Sequence, residues 1–143
     1  MRKRTVARET ALKLLYEQDL RKESVDELLE RHFDENKLDP EIKEFTELLV
    51  RGTLEKVSEI DTLLKKYADN WDLERMAVID RNILRFATFE LIYLPDIPAK
   101  VAINEAVNIA KKYSQEKAGK FVNGVLDKIN HSEERRPFKS SVE

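Results

Sequence analysis

Apolar residues recur at helical spacing along nearly the whole chain, and strand-like alternation is absent. Ala7, Ala11, Leu14, Leu15 and Gln18 trace one face of a first helix predicted over about residues 3–21, with Leu12 and Tyr16 on its flank. Ser24 followed by Glu27 reads as a capping box, opening a helix that buries Val25, Leu28, Leu29, His32 and Phe33. Asp39-Pro40 pairs a side-chain cap with a proline suited to the first helical position. The helix it opens turns Ile42, Phe45, Leu48, Leu49 and Gly52 inward. A restart at Ser58 or Asp61 is expected, with Ile60, Leu63, Leu64 and Tyr67 as the buried stripe. The run Asp69-Asn70-Trp71-Asp72 reads as a connection.

Residues 76–94 break the amphipathic pattern. Thirteen of these 19 positions are apolar and they cover more than one face. A helix of that kind is buried from several sides, so it is expected at the centre. It must end before Pro95, because a residue preceding proline is pushed out of the helical region. Pro98 then starts a helix with the stripe Ala102, Ile103, Ala106, Val107, Ala110 and Tyr113. A last helix carries Ala118, Phe121, Val122, Val125, Leu126 and Ile129. These elements predict an all-α protein with one helical domain at residues 1–131. The polar segment 132–143 is expected to be a mobile tail.

Composition narrows the chemistry. Three glycines and four prolines leave few turns, and 38% charged residues suit a solvated helical bundle. Without cysteine there is no thiol nucleophile, thiolate metal site or disulfide. His32 and His131 are far apart, and His32 falls on an apolar stripe. No glycine-rich phosphate loop or HExxH motif occurs, and Glu105 has no nameable catalytic partner, so its reading is a surface or capping group. No catalytic residue, cofactor or metal is therefore expected. The basic N-terminus lacks an apolar signal core and no run of 18 apolar residues exists, which makes the cytoplasm the default location and excludes a membrane span.

Net charge is −2, but its distribution is uneven. Residues 1–13 carry +4, residues 14–98 carry −9 and residues 99–143 carry +3. Polyanions respond to the local field within a Debye length of about 8 Å, so two basic ends matter more than the overall balance. Arg2, Lys3, Arg4 and Arg8 form the first basic cluster, with Arg4 and Arg8 one helical turn apart. Guanidinium forks suit phosphate; the competing reading is a solvated, frayed end. The second cluster interleaves Lys111, Lys112, Lys117 and Lys120 with Tyr113 and Phe121. Cations beside aromatic faces suit single-stranded nucleic acid; the competing reading is a charged outer face over two core aromatics. Asn123 could read a base edge, and Gly124 would let a backbone approach closely. Around the central helix, Glu74, Asp80 and Glu90 with Arg75, Arg81 and Arg85 fit either internal ion pairs or a docking face for a basic protein.

Several stretches resemble the NusB family of bacterial transcription antitermination factors. They are Arg8-Glu-Thr-Ala11 with Leu15-Tyr16, Arg81-Asn-Ile-Leu-Arg85 with Phe89-Glu-Leu91, Val101-Ala-Ile-Asn-Glu-Ala106, Lys111-Lys-Tyr113, and Lys120-Phe-Val-Asn-Gly-Val-Leu126. Together they cover about residues 3–130. The resemblance implies two three-helix units packed at an angle around the central helix. It also implies a non-enzymatic adaptor that binds boxA-type single-stranded leader RNA with NusE, a small-subunit ribosomal protein. That complex would join RNA polymerase in an antitermination assembly during ribosomal RNA transcription. The arginine-rich start and the second basic cluster would face RNA, and Tyr16, Glu74 and Asp80 would face NusE. Two alternatives stand beside it: an RNA-binding module like the N-terminal domain of ribosomal RNA methyltransferases, and a helical scaffold without an RNA role.

Overall fold

The structure is a computed structural model that describes residues 2–68 and 72–140. Among them, seven helices and no strand are present: α1 (Lys3–Arg21), α2 (Val25–Glu35), α3 (Pro40–Glu55), α4 (Val57–Tyr67), α5 (Val78–Tyr93), α6 (Ala99–Tyr113) and α7 (Glu116–Ser132). The expected caps are in place. Ser24 Oγ accepts from the Glu27 N–H at 3.5 Å, and Asp39 Oδ1 accepts from the Glu41 N–H at 2.9 Å. Most of the Asp69–Asp72 connection lies outside the described residues.

One helix start differs from expectation. Neither Ser58 nor Asp61 opens α4, which begins at Val57 directly after α3. The chain bends at Lys56, whose N–H still bonds the Gly52 carbonyl while its own carbonyl accepts from Ile60. The backbone hydrogen bonds pass from one helix to the next, so no side-chain cap is needed.

Helices α1, α2 and α3 pack together on one side of α5, while α6 and α7 pack on each other and on its opposite side. Helix α4 fits among α3, α5 and α7. The central position predicted for residues 76–94 is therefore realised in α5, where Ile83, Leu84, Phe86, Phe89 and Leu91 are fully buried. Each such side chain contributes about 1.5–3 kcal/mol relative to exposure. Gly52 of α3 lets Phe89 approach, since a Cβ there would run into the aromatic ring.

The segment after α7 does not stand away from the domain. The Arg136 N–H donates to the Ile92 carbonyl at 2.8 Å, and the Phe138 N–H to the Tyr93 carbonyl at 2.9 Å. Arg135 donates to the carbonyls of Glu90, Leu91 and Leu94 at the end of α5. Phe138 meets Phe89 edge to face at 5.1 Å between ring centroids. These contacts place residues 133–140 against α5, where composition alone suggested a free tail. Polarity hid the seat, because one aromatic ring and a few hydrogen bonds provide it.

Candidate nucleic-acid interface

Long side chains link α1 to α6 at matching points along both helices. Thr5 Oγ1 donates to Glu105 Oε1 at 2.5 Å, and Arg8 Nη1 donates to the same oxygen at 2.8 Å. Further along both helices, Lys112 Nζ approaches Glu9 at 3.1 and 3.2 Å, and the Tyr113 hydroxyl donates to Glu9 at 2.8 Å. The two basic clusters, a hundred residues apart in sequence, thus meet along one seam. Glu9 joins them, and it is the only acid among the first thirteen residues. Sequence reasoning passed over it as a minor offset to the surrounding charge.

Arg2, Lys3 and Arg4 are exposed at the start of this seam. Lys3 pairs with Asp39 at 3.2 Å and Glu41 at 3.6 Å, while the Arg4 guanidinium lies 4.6 Å from the Phe45 ring centroid. At the other end, Lys111 and Lys112 of α6 and Lys117, Lys120 and Asn123 of α7 are exposed. The Lys111 stem covers Gly119, where an added Cβ would crowd it. Tyr113 and Phe121 are half-buried against the core. Nothing lies within 4 Å of a Cβ placed at Gly124. Internal packing therefore gives no reason for glycine there.

Arg8 must be removed from the RNA-facing set. It is 2% exposed, and its Nε and Nη2 donate to Glu90 at 2.8 and 2.6 Å while Nη1 reaches Glu105. The one-turn spacing from Arg4 is real, but the helix turns Arg8 inward, where two carboxylates occupy its fork. Glu90 is likewise fully buried and does not belong to an acidic docking face. Glu105, read as a surface or capping group, is the third member of this buried centre. Burial pushes the Glu90 carboxyl up, against the pull of Arg8, and the neighbouring Glu105 adds to the rise. At the seam, the hydrogen bond to Glu9 raises Lys112, while burial and then Glu9 raise the Tyr113 hydroxyl.

The other end of α1 carries a second constellation. Asp19 Oδ2 accepts from Arg81 Nη2 at 2.8 Å, Asn82 Nδ2 at 3.0 Å and Arg85 Nη1 at 3.2 Å. Arg81 also reaches the Leu73 carbonyl at 3.1 Å, fixing the segment before α5 to α1. Outside this network stand Tyr16, 37% exposed, and Leu20, 56% exposed, one turn apart on α1. Glu74 is exposed beside Leu73, and Asp80 is half-buried beside Arg81. Asp80 Oδ1 has no hydrogen-bond partner among the described residues. Leu20 was missed from sequence, although an apolar residue off the helix stripe was its signal.

No group of three His, Asp or Glu residues among those described could hold a metal ion. No described helix is long and apolar enough to cross a membrane.

Residues 5–131 match the model of the NusB family. A transcription antitermination protein NusB of Thermodesulfovibrio yellowstonii is 43% identical over 143 residues, which cover 92% of this chain and 93% of that protein. The NusB of Chloroherpeton thalassium is 46% identical over 121 residues, covering 84% of this chain and 57% of that protein. A crystal structure of antitermination factors NusB and NusE in complex with dsRNA superposes with a TM-score of 0.84 at 36% identity, covering 93% of this chain and 99% of that one. On the extent of these matches, the chain belongs to the NusB family of transcription antitermination proteins, which are RNA-binding regulators and not enzymes.

Proposed function

We propose that this protein binds boxA-type single-stranded leader RNA together with NusE and acts in the cytoplasm as an adaptor of the antitermination complex on RNA polymerase during ribosomal RNA transcription. The observation that carries this reading is the α1–α6 seam, where Glu9 holds Lys112 and Tyr113 beside the basic start of α1. Exposed Arg2, Arg4, Lys111, Lys117 and Lys120 hold the phosphate backbone, and Asn123 reads an unstacked base beside Gly124. Tyr16 and Leu20 supply an apolar anchor for NusE, with Glu74 and Asp80 steering its basic surface. Bound to one scaffold, RNA and NusE raise each other's effective concentration. A relative solved with NusE and dsRNA supports NusE and RNA as partners.

The test is titration of boxA-type, scrambled and duplex RNA with and without NusE at several salt concentrations. With three to five phosphate contacts on a single strand, log affinity falls against log salt with a slope of about −2 to −3.5. Arg4→Ala makes the slope shallower by about 0.7 and weakens every RNA alike. Asn123→Ala leaves the slope unchanged and narrows the difference between boxA and scrambled RNA. Tighter binding of duplex than of boxA single strand would overturn the single-strand reading.

A further inference from the structure

The start of α1 borders a cavity of about 660 Å³ that the basic seam does not by itself explain. Helix α3 contributes Phe45 and Glu44 to its wall, the α5–α6 turn contributes Asp96 and Ile97, and the segment after α7 contributes Phe138. Arg4 stands at its edge over Phe45. A neighbouring cleft shares Arg4, Asp96 and Ile97 and continues along α6 past Val101 to Glu105. The cavity therefore opens onto the same α1–α6 seam that leads to Lys112 and Tyr113.

We infer that this cavity is a nucleobase pocket selective for guanine in single-stranded RNA; the inference rests on the RNA-binding reading above. Three features choose the occupant. First, apolar and aromatic side chains line a space next to an exposed guanidinium, the combination that receives an unstacked base while its phosphate stays at the rim. Arg4 makes no ion pair among the described residues, unlike Lys3, so its charge is open to phosphate. Second, of the charged groups on the wall besides Arg4, Lys3 and Glu41 pair with each other, which leaves the carboxylates of Glu44 and Asp96, and ionised carboxylates only accept hydrogen bonds. They favour a base edge that donates. Guanine presents a ring N–H and an adjacent amine, two donors that match the two oxygens of one carboxylate. Uracil offers a single ring N–H flanked by carbonyl oxygens that the carboxylate repels. Third, Glu44 and Asp96 are exposed and make no close ion pair among the described residues; Arg135 acts on Asp96 only through the field, which leaves the oxygens of both open to donors.

The probe is a uridine dodecamer and a set of dodecamers with one guanosine stepped through each position, titrated with NusE present at low salt. One or two guanosine positions are expected to bind about tenfold more tightly than the all-uridine strand, the gain of one good bidentate contact. Inosine, which lacks the amine, loses most of that gain. The double variant Glu44→Gln, Asp96→Asn abolishes the gain, while the all-uridine affinity rises severalfold because two repelling charges are gone. Both changes are at exposed positions, so folding is retained, and a thermal melt checks it. Binding of the all-uridine strand without gain at any guanosine position overturns the pocket and leaves the seam intact. Gain that persists in the double variant overturns the pocket as well. No binding of any strand overturns the RNA-binding reading and the pocket with it.

Discussion

Helix α1 carries an ionic centre at each end, and the two are near inversions of one another. Toward its start, one guanidinium, Arg8, serves two carboxylates, Glu90 and Glu105. Toward its end, one carboxylate of α1, Asp19, serves two guanidiniums, Arg81 and Arg85, with Asn82 as a further donor, while Arg85 also forks onto Asp61 of α4. The first centre is sealed: Arg8 and Glu90 have side-chain exposures of 2% and 0%. The second is partly open, with Arg81 and Arg85 each 14% exposed. Both tie α1 to α5, but burial gives them different sensitivities. A sealed centre cannot shed a mismatch to water, so removal of one member is felt in full. An open centre lets solvent absorb part of the loss. The difference also matches their positions. The sealed centre fixes α1 against α5 and α6 beneath the basic seam, and the open one lies under the Tyr16–Leu20 surface, where a protein partner would exclude more water.

The strongest way to break this contrast is Arg8→Met. Two buried carboxylates would lose the guanidinium that bonds both, and a loss of about 3–5 kcal/mol is expected in urea unfolding. Asp19→Asn is the matching change at the other centre. It keeps the shape but removes the charge, and about 1–3 kcal/mol of loss is expected. Equal losses would show that the burial difference does not govern the two sites.

Acidity separates the centres by sign. The Glu90 carboxyl is held above its ordinary 4.5 by burial. The native state therefore binds this proton more readily than the unfolded chain, and stability from this site rises as pH falls from neutrality toward 4.5. Desolvation would raise Asp19 too, but hydrogen bonds from Arg81, Asn82 and Lys22 outweigh it and hold the group below its ordinary 3.8. Its stabilisation is present above 3.8 and is lost as pH falls through the lower native value. Unfolding free energies measured against pH should show that Glu90→Gln flattens the window above 4.5, while Asp19→Asn flattens the one below 3.8. The opposite assignment would refute the inversion.

The smallest effect concerns the seam between the centres. Glu9→Gln frees Lys112 from a solvent-screened ion pair, so folding should hardly change. RNA affinity at low salt should rise about two- to threefold, and the salt slope should steepen. A fall in affinity would mean that Glu9 acts chiefly by positioning Lys112 and Tyr113.

How much of this was legible beforehand varied with the range of the interaction. Ser24, Asp39 and Pro95 act on their own neighbours in the chain, so helix starts and stops could be read directly. The exception, α4, began without a cap because its backbone bonds were inherited from α3. The central place of α5 was also legible, since apolar residues on every face need cover from every side. Arg8 shows the boundary. Its type and spacing matched a phosphate ligand as well as Arg4 did, and only the positions of Glu90 and Glu105 decide otherwise. The contacts of residues 135–138 were hidden for a related reason: they rest on α5 carbonyls and aromatic rings that no property of the segment announces.

By itself, then, the sequence determined an all-α chain, the order of its helices, the caps of α2 and α3, the central helix and two basic segments, because these follow from local hydrogen bonding and periodic burial. The NusB resemblance was also legible, in motifs spread over nearly the whole chain. Only the tertiary structure decided that the basic segments share one seam, that Arg8 is a core residue while Arg4 is a surface one, and that α3, the α5–α6 turn and the tail enclose a cavity beside them. Those outcomes depend on which distant side chains share a desolvated space, and a charge in that space is committed by its partners instead of its type.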